Sequence, residues 1–370
     1  MATPFQLRWG IISTGKIAAC FVKDLLVDPK TRDVRDIVHK VSAIGSRSVE
    51  NARKFIDTVA GGDTSIKAYG TYEEVYFDKD VDAIYIGTPH TFHYTNSLAA
   101  LKAGKNVLCE KPVTCNSSEL RSLIATAKEH GVFFMEALWT RFQPLTLEVK
   151  KIAESGVLGA PVVLHADLSG DFDIDNIPKT HRILDPALGG GALLDLGVCS
   201  GPYPLVWAIV ALYENPRNKL NPPSSITGAM LKTTLTDVDR NTSFTLTFSS
   251  ADLAAQAILS CSINLNAPQP GVTIRFERGT IAIAAPIYCP KEFTIQHFGT
   301  DGTIKEERKE FEYVGGGWHF QADEVARCVR DGEKESTLWG HSKSLLEMEI
   351  FDEVRRQGEY KFPGGVEKVL

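Results

Sequence analysis

The sequence predicts an α/β chain of two domains, an N-terminal doubly wound parallel sheet and a C-terminal α+β domain built on an open, largely antiparallel or mixed sheet. Three observations carry this. The chain has 370 residues, more than one ordinary core uses, since domains run roughly 100–200 residues. Its first third alternates short apolar runs with helical spacing, the rhythm of βαβ units. Later segments are longer and alternate apolar with polar residues, as strands with one covered face do. The expected domains are 1–140 and 141–370, with a C-terminal helix, 342–357, that could pack back on the first.

Leu7 to Ile12 reads as the first strand, followed by a glycine-containing turn and helical spacing from Ile17 to Leu26. Val41 to Gly45 is a second strand with a helix after it, Glu50 to Val59. Ala83 to Ile86 and Val107 to Cys109 are short buried strands, separated by a helix from Thr95 to Ala103 that Gly104 stops. A helix from Ser118 to His130 and a strand from Val132 to Met135 complete the first domain. In the second, a helix over Thr146 to Ala153 precedes alternating strands at Val162 to Asp167, Thr242 to Phe248, Ala257 to Ile263, Val272 to Phe276 and Thr280 to Ile283. Leu193 to Tyr213, Phe320 to Arg330 and Ser342 to Gln357 supply its helices.

Composition narrows the functions. With 43% hydrophobic and 23% charged residues the chain is globular in make-up, so disorder is not expected outside the ends. The formal charge of −6 offers no broad cationic surface, which disfavours nucleic acid and anionic membranes as partners. The first residues lack the basic and apolar regions of a secretory signal, so a cytoplasmic location is expected. Tyr203 to Tyr213, the most apolar stretch, is far short of the ~20 residues that span a bilayer. The 7 cysteines are odd in number, scattered and without a CxxC pair, which points to reduced thiols and neither a disulfide frame nor a zinc site.

Gly10-Ile11-Ile12-Ser13-Thr14-Gly15-Lys16-Ile17 spans the junction of first strand and first helix, where backbone N–H groups can hold a pyrophosphate. The string also fits G-x-x-x-x-G-K, but Ile17 stands where a P-loop presents a magnesium-binding hydroxyl, which argues against an NTPase. As a dinucleotide fingerprint it is imperfect, with Ser13 and Ala18 at glycine positions. Ser46-Arg47-Ser48 follows the second strand, where an acidic residue would bind the ribose of NAD. A guanidinium flanked by hydroxyls suits a 2′-phosphate instead, so NADP is the expected cofactor, the alternative being a solvated loop arginine.

Val107-Leu108-Cys109-Glu110-Lys111-Pro112 puts an acid–base pair at the ligand-binding end of a predicted strand. By itself this could be an ordinary ion pair. It occurs, in order, with Trp9-Gly10-Ile11, Tyr69-Gly70-Thr71-Tyr72, Gly87-Thr88-Pro89-His90 with His93, Met135-Glu136-Ala137-Leu138-Trp139-Thr140-Arg141-Phe142 and Gly190-Gly191-Ala192-Leu193-Leu194-Asp195-Leu196-Gly197. Together these strings resemble the glucose-fructose oxidoreductase and inositol dehydrogenase (Gfo/Idh/MocA) family. Within it the chain is similar to the branch of dimeric dihydrodiol dehydrogenase and fungal NADP-dependent D-xylose 1-dehydrogenase.

The resemblance implies a Rossmann domain followed by an α/β domain whose open sheet supports a homodimer. It also implies that Thr88, Pro89, His90 and His93 line the cofactor channel, that Glu110 and Lys111 lie beside the nicotinamide ribose, and that Trp139, Arg141 and Phe142 wall the substrate pocket. Zinc at His90 and His93 would lack further clustered ligands, so no metal is expected. The implied activity is hydride transfer between NADP and a sugar, polyol or vicinal diol. Lys111 would polarise the reacting oxygen or relay its proton, with Asp195 also catalytic. Alternatives are a pathway-specific reductase of a keto or imino compound and a non-catalytic NADP-binding member.

At one point the chain departs from its branch. Relatives carry tyrosine directly after Asp-Leu-Gly-x, and this chain has Cys199; the branch pattern resumes at Tyr203-Pro204 after four extra residues, Cys199 to Pro202. If those residues are looped out, with Pro202 opening a helix, Tyr203 recovers the acid–base position. If they lie within the helix, they add about one turn, roughly 6 Å, and Cys199 occupies the substrate site.

Overall fold

The computed structural model describes residues 3–194 and 201–370. The chain folds into two compact units, one of 1–142, 313–345 and 368–370, the other of 143–312 and 346–367. The segment 313–345, which the sequence reading assigns to the second domain, therefore groups with the first. The unit boundary cuts the C-terminal helix.

The first unit is built on six parallel strands, β1 (Phe5–Ile12), β2 (Ile37–Gly45), β3 (Lys67–Tyr69), β4 (Ala83–Ile86), β5 (Asn106–Glu110) and β6 (Phe134–Ala137), in the order β3-β2-β1-β4-β5-β6. This is the doubly wound Rossmann order, which reverses between β1 and β4 and opens a ligand crevice there at the C-terminal strand ends. β4 is buried at every position, as a strand covered on both faces must be. The connecting helices are α1 (Lys16–Leu25), α2 (Val49–Val59), α3 (Tyr72–Tyr76), α4 (His93–Lys102) and α5 (Ser117–His130). Several boundaries have a local cause. Thr71 and Glu74 form a capping box on α3, Asn116 caps α5, and Gly131 in the left-handed region at φ +65° ends it.

The second unit opens with α6 (Pro144–Ser155) and β7 (Pro161–Ser169), continues through α7 (Pro202–Ala208), and adds β8 (Ser225–Lys232), β9 (Asp239–Ser249), β10 (Ala254–Ser262), β11 (Val272–Phe276), β12 (Gly279–Ile283), β13 (Glu292–Phe298) and β14 (Ile304–Glu310). Eight strands order as β14-β13-β12-β11-β7-β10-β9-β8. β7 and β10 run parallel, and the other pairings are antiparallel. α7 lies against β7 and β10. On β9 and β10, Phe244, Leu246, Phe248, Ala257 and Leu259 point to the covered face, whereas Ser243, Gln256 and Ile258 stand exposed on the other. The remaining helices are α8 (His319–Asp331) in the first unit and α9 (His341–Gln357), which begins there and continues into the second.

One expected helix is displaced. In place of a helix from Leu193, residues 191–194 form turns, with Gly191 at φ +120° and the Leu193 N–H donating to Asp239 Oδ2 at 2.8 Å. The helix starts at Pro202, where proline's missing N–H costs nothing.

Candidate active site

The nucleotide turn is formed by Ser13, Thr14 and Gly15 between β1 and α1. Ser13 adopts φ +99°, which side chains rarely tolerate; its N–H donates to the Gly45 carbonyl at 3.2 Å and its Oγ accepts the Gly15 N–H at 3.1 Å. Gly15 is exposed at the N-cap, and no side chain caps α1. The first-turn N–H groups, with Lys16 and Ile17, are thereby left to an external acceptor, which a phosphate provides. Thr14 Oγ1 lies 3.2 Å from Ser46 Oγ and joins the ends of β1 and β2. Gly10 sits inside β1, where a Cβ would come within 2.6 Å of Val75; what the fold uses there is the close approach of α3.

At the end of β2, Arg47 is exposed and makes no ion pair among the described residues. Its charge reaches Tyr72, whose phenol burial pushes up and Arg47 draws back down. Ser48 is engaged otherwise than expected: its Oγ accepts the Asn51 N–H at 3.2 Å and caps α2.

After β4 come Thr88 and Pro89, then a short 3-10 turn, His90–Phe92, leading into α4. Asn96 Nδ2 donates to Thr88 Oγ1 at 3.2 Å. His93 is almost fully buried, with Nε2 2.8 Å from the Thr88 carbonyl and Nδ1 2.8 Å from the Pro112 carbonyl. It thus ties the loop after β4 to the loop after β5, and with both ring nitrogens on carbonyls it is no metal ligand. The rings of His90 and His93 stand 6.5 Å apart. Among the described residues no cluster of three His, Cys, Asp or Glu side chains is placed to hold a metal ion.

Glu110 ends β5 and Lys111 follows, joined to Pro112 by a cis peptide. Glu110 is buried, and Tyr85, on the neighbouring strand β4, donates its phenol to Glu110 Oε1 at 2.7 Å. Burial pushes the Glu110 carboxyl up to about 7; the Tyr85 hydrogen bond, the Lys111 charge and the Lys111 N–H oppose the rise, and Glu136 adds to it. Glu136, on β6, accepts from the Val113 N–H at 3.0 Å, Trp339 Nε1 at 3.1 Å and Ser344 Oγ at 2.6 Å. It thereby anchors the chain two residues beyond Lys111.

Trp139, Arg141 and Phe142 occupy one buried 3-10 turn just after β6. The Trp139 ring is stacked on that of Trp318, with centroids 3.9 Å apart and 7° between planes. Trp318 is held by Asp24 of α1, whose carboxylate accepts N–H bonds from Gly316, Gly317 and Trp318 at 2.7–2.8 Å and lies 3.1 Å from His319 Nδ1. Gly315 and Gly317 sit at φ +93° and +106°, so this wrap around Asp24 needs glycine.

In the second unit, Tyr203 is buried as the second residue of α7, its ring 5.8 Å from Tyr288. Asp195 and Cys199 lie outside the described residues. Asp239 holds the chain just before them, taking Thr242 Oγ1 at 2.6 Å as well as the Leu193 N–H; burial pushes its carboxyl up to about 6.

Sequence reasoning missed Tyr85, Asp24, Trp318 and Asp239 as structural partners of the site. For two of them a signal existed, a phenol inside a buried apolar strand and a carboxylate on the apolar side of α1, since buried polar groups need partners. A cleft of about 580 Å³ opens at the opposite, N-terminal ends of the strands, with Arg8, Lys105 and Arg330 in its wall. Arg8 is bound to Asp82, Lys105 to the carbonyls of Asp78 and Val81, and Arg330 to Asp36 and Asp331, so it offers no free cation to an anion.

These features define a dinucleotide-fold oxidoreductase. The chain belongs to the Gfo/Idh/MocA oxidoreductase family. Residues 7–138 match the family's NAD-binding Rossmann-fold model and residues 146–282 its C-terminal domain model. The chain is 34% identical to D-xylose 1-dehydrogenase (NADP(+)) of Hypocrea jecorina, over 97% of this chain and 94% of that protein. It is 32% identical to trans-1,2-dihydrobenzene-1,2-diol dehydrogenase of Danio rerio, over 95% and 96%. Among solved structures the fold matches a 3-ketoreductase from Actinomadura kijaniata at TM-score 0.76 and 23% identity, covering 95% of this chain and 98% of that one. An aldose-aldose oxidoreductase from Caulobacter crescentus matches at TM-score 0.76 and 20% identity, covering 96% and 98%.

Proposed function

We propose that the chain is an NADP-dependent dehydrogenase that oxidises a hydroxyl of a sugar or vicinal diol, with Lys111 acting on the reacting oxygen. The observation that carries this reading is the placement of Lys111 beside the buried Glu110 at the C-terminal end of β5, the ligand-binding end of the sheet. Both curated relatives described above are named dehydrogenases, one of a sugar and one of a diol, and the likeness extends over nearly the full chain.

The residues present fit NADP. The uncapped first turn of α1 receives the pyrophosphate, and Arg47, exposed and without an ionic partner among the described residues, suits the 2′-phosphate. When bound, NADP supplies the hydride acceptor. Lys111 as an ammonium orients and polarises the hydroxyl, Tyr203 serves as the acid–base group that takes its proton, and Asp195 completes the catalytic set. Thr88, Pro89, His90 and His93 shape the cofactor channel, while Trp139, Arg141 and Phe142 exclude water from the substrate.

The exposed face of the second sheet, where Ile258 is 40% exposed among serines and threonines, is the surface on which we place a homodimer. No helix of the described residues is long and apolar enough to cross a membrane, and the six described cysteines form no disulfide with one another, in keeping with a reducing cytosol.

The test is NADPH binding by nicotinamide fluorescence, followed by turnover on a panel of pentoses, hexoses and diols. Turnover with NADP⁺ on a sugar or diol is expected. Binding without turnover on any of them would point to a non-catalytic member, and turnover confined to keto or imino compounds to a reductase. Sedimentation at micromolar concentration should give a dimer; a monomer would remove the sheet-face assignment.

A further inference from the structure

A phenol inside a strand that is otherwise apolar and buried on both faces calls for a reason. β4 reads Ala83-Ile84-Tyr85-Ile86, and the Tyr85 ring lies flat on Phe21 of α1, 3.9 Å between centroids and 7° between planes. Its hydroxyl ends 2.7 Å from Glu110 Oε1, on the residue that precedes Lys111. We infer that Tyr85 is a positioning residue for the chemistry at Lys111, acting through the charge on Glu110; this rests on the functional reading above.

Four elements bear on Glu110. Tyr85 from β4 donates to it, and Lys111 contributes its charge and backbone N–H. Glu136 from β6 repels its negative form, and the Cys20 thiol of α1 is near enough to feel that charge. Burial favours the neutral acid. The phenol hydrogen bond is thus the largest of the contacts that oppose burial and hold the titration of an enclosed carboxyl down to about 7. An ionised Glu110 holds the neighbouring amine as an ammonium that can polarise a substrate oxygen; a neutral one releases that hold. A Tyr–Glu pair that only satisfied its own hydrogen-bonding needs would affect stability alone.

Tyr85→Phe keeps the ring and its stacking on Phe21 and removes the hydrogen bond to Glu110. Glu110 is followed in the substrate-free protein by carboxyl ¹³C NMR with labelled glutamate, its signal assigned by comparison with Glu110→Gln. NADP⁺-dependent turnover of the pentose, hexose or diol that the wild-type protein oxidises fastest in the panel is followed from pH 5 to 9. The variant's Glu110 titration is expected to move upward by about one pH unit, and the acidic limb of kcat with it. An unmoved Glu110 titration would overturn the inference. So would a moved titration with an unmoved acidic limb, because Tyr85 would then be structural. If the wild-type protein turned over none of the pentoses, hexoses and diols of the panel while the titration still moved, the functional reading would be what failed, and the catalytic role of Tyr85 with it; the charge coupling between the two residues would stand.

Discussion

His93 Nδ1 lies 2.8 Å from the Pro112 carbonyl, one residue beyond Lys111, while Nε2 of the same ring lies 2.8 Å from the Thr88 carbonyl. Carbonyls only accept, so both bonds form together only when both ring nitrogens carry protons. A neutral ring carries one proton, so histidine-selective ¹⁵N NMR should show a single fixed tautomer for His93, and a ring that exchanges between tautomers as in free histidine would count against the tie. His93→Ala leaves two buried carbonyls without that donor. It should lower stability by about 1–3 kcal/mol in urea unfolding and depress turnover, because the Lys111 loop loses its tie.

Lys111→Met should reduce turnover by about 10²–10⁴ while leaving NADPH affinity within a few-fold, since the amine is assigned to the reacting oxygen and not to the phosphates. Single-turnover rates and fluorescence titration separate the two quantities. Near-normal turnover would remove Lys111 from the mechanism.

Arg47 stands exposed with no ionic partner among the described residues. NADP should bind at least about ten-fold more tightly than NAD, a difference of about 1.4 kcal/mol, and Arg47→Ala should erase most of it. Equal dissociation constants for the two cofactors in the unmodified protein would count against this role.

Tyr203, the second residue of α7, is the group proposed as the acid–base partner. Tyr203→Phe should cut turnover at least about a hundred-fold, and Cys199→Ala should be nearly silent. The reverse pattern would assign the position to Cys199.

Asp24 yields a prediction about acid. Burial pushes its carboxyl up, but the hydrogen bonds from His319 and Gly316 with other contacts more than offset this, leaving it below its ordinary value. A carboxylate depressed by folding contributes stability above its unfolded value and loses it as pH falls through the folded value. Asp24→Asn should therefore cost about 1–2 kcal/mol at pH 7, and the gap to wild type should narrow below about pH 4. Thermal melts across that range measure it; a gap constant with pH would show that the charge is irrelevant.

The readable parts of the chain are those where burial and pattern coincide. β11 is expected and found at Val272–Phe276 because apolar residues alternate with polar ones along it. β14, Ile304–Glu310, carries almost only exposed charged residues at a sheet edge, so no periodicity marks it, and β8 alternates half-buried with exposed positions around Gly228. In the candidate site, the strings around Gly15, Arg47, Glu110 and Lys111 are local in sequence and could be read. The tie from His93 to Pro112, the phenol on Glu110 and the clasp of Asp24 on residues 316–319 join positions 19 to 295 residues apart. Spacing along a chain carries no trace of such pairings.

The clasp at Asp24 also bears on how the polypeptide is made. The nucleotide-binding unit draws on residues 1–142 and, after the whole stretch 143–312, on 313–345. The ribosome therefore releases a sheet whose α1 still lacks its partner loop, and Asp24 must wait for nearly 300 further residues before its carboxylate is satisfied. An N-terminal fragment cut at residue 142 is thus an incomplete body whose Asp24 carboxylate lacks the N–H donors of residues 316–318.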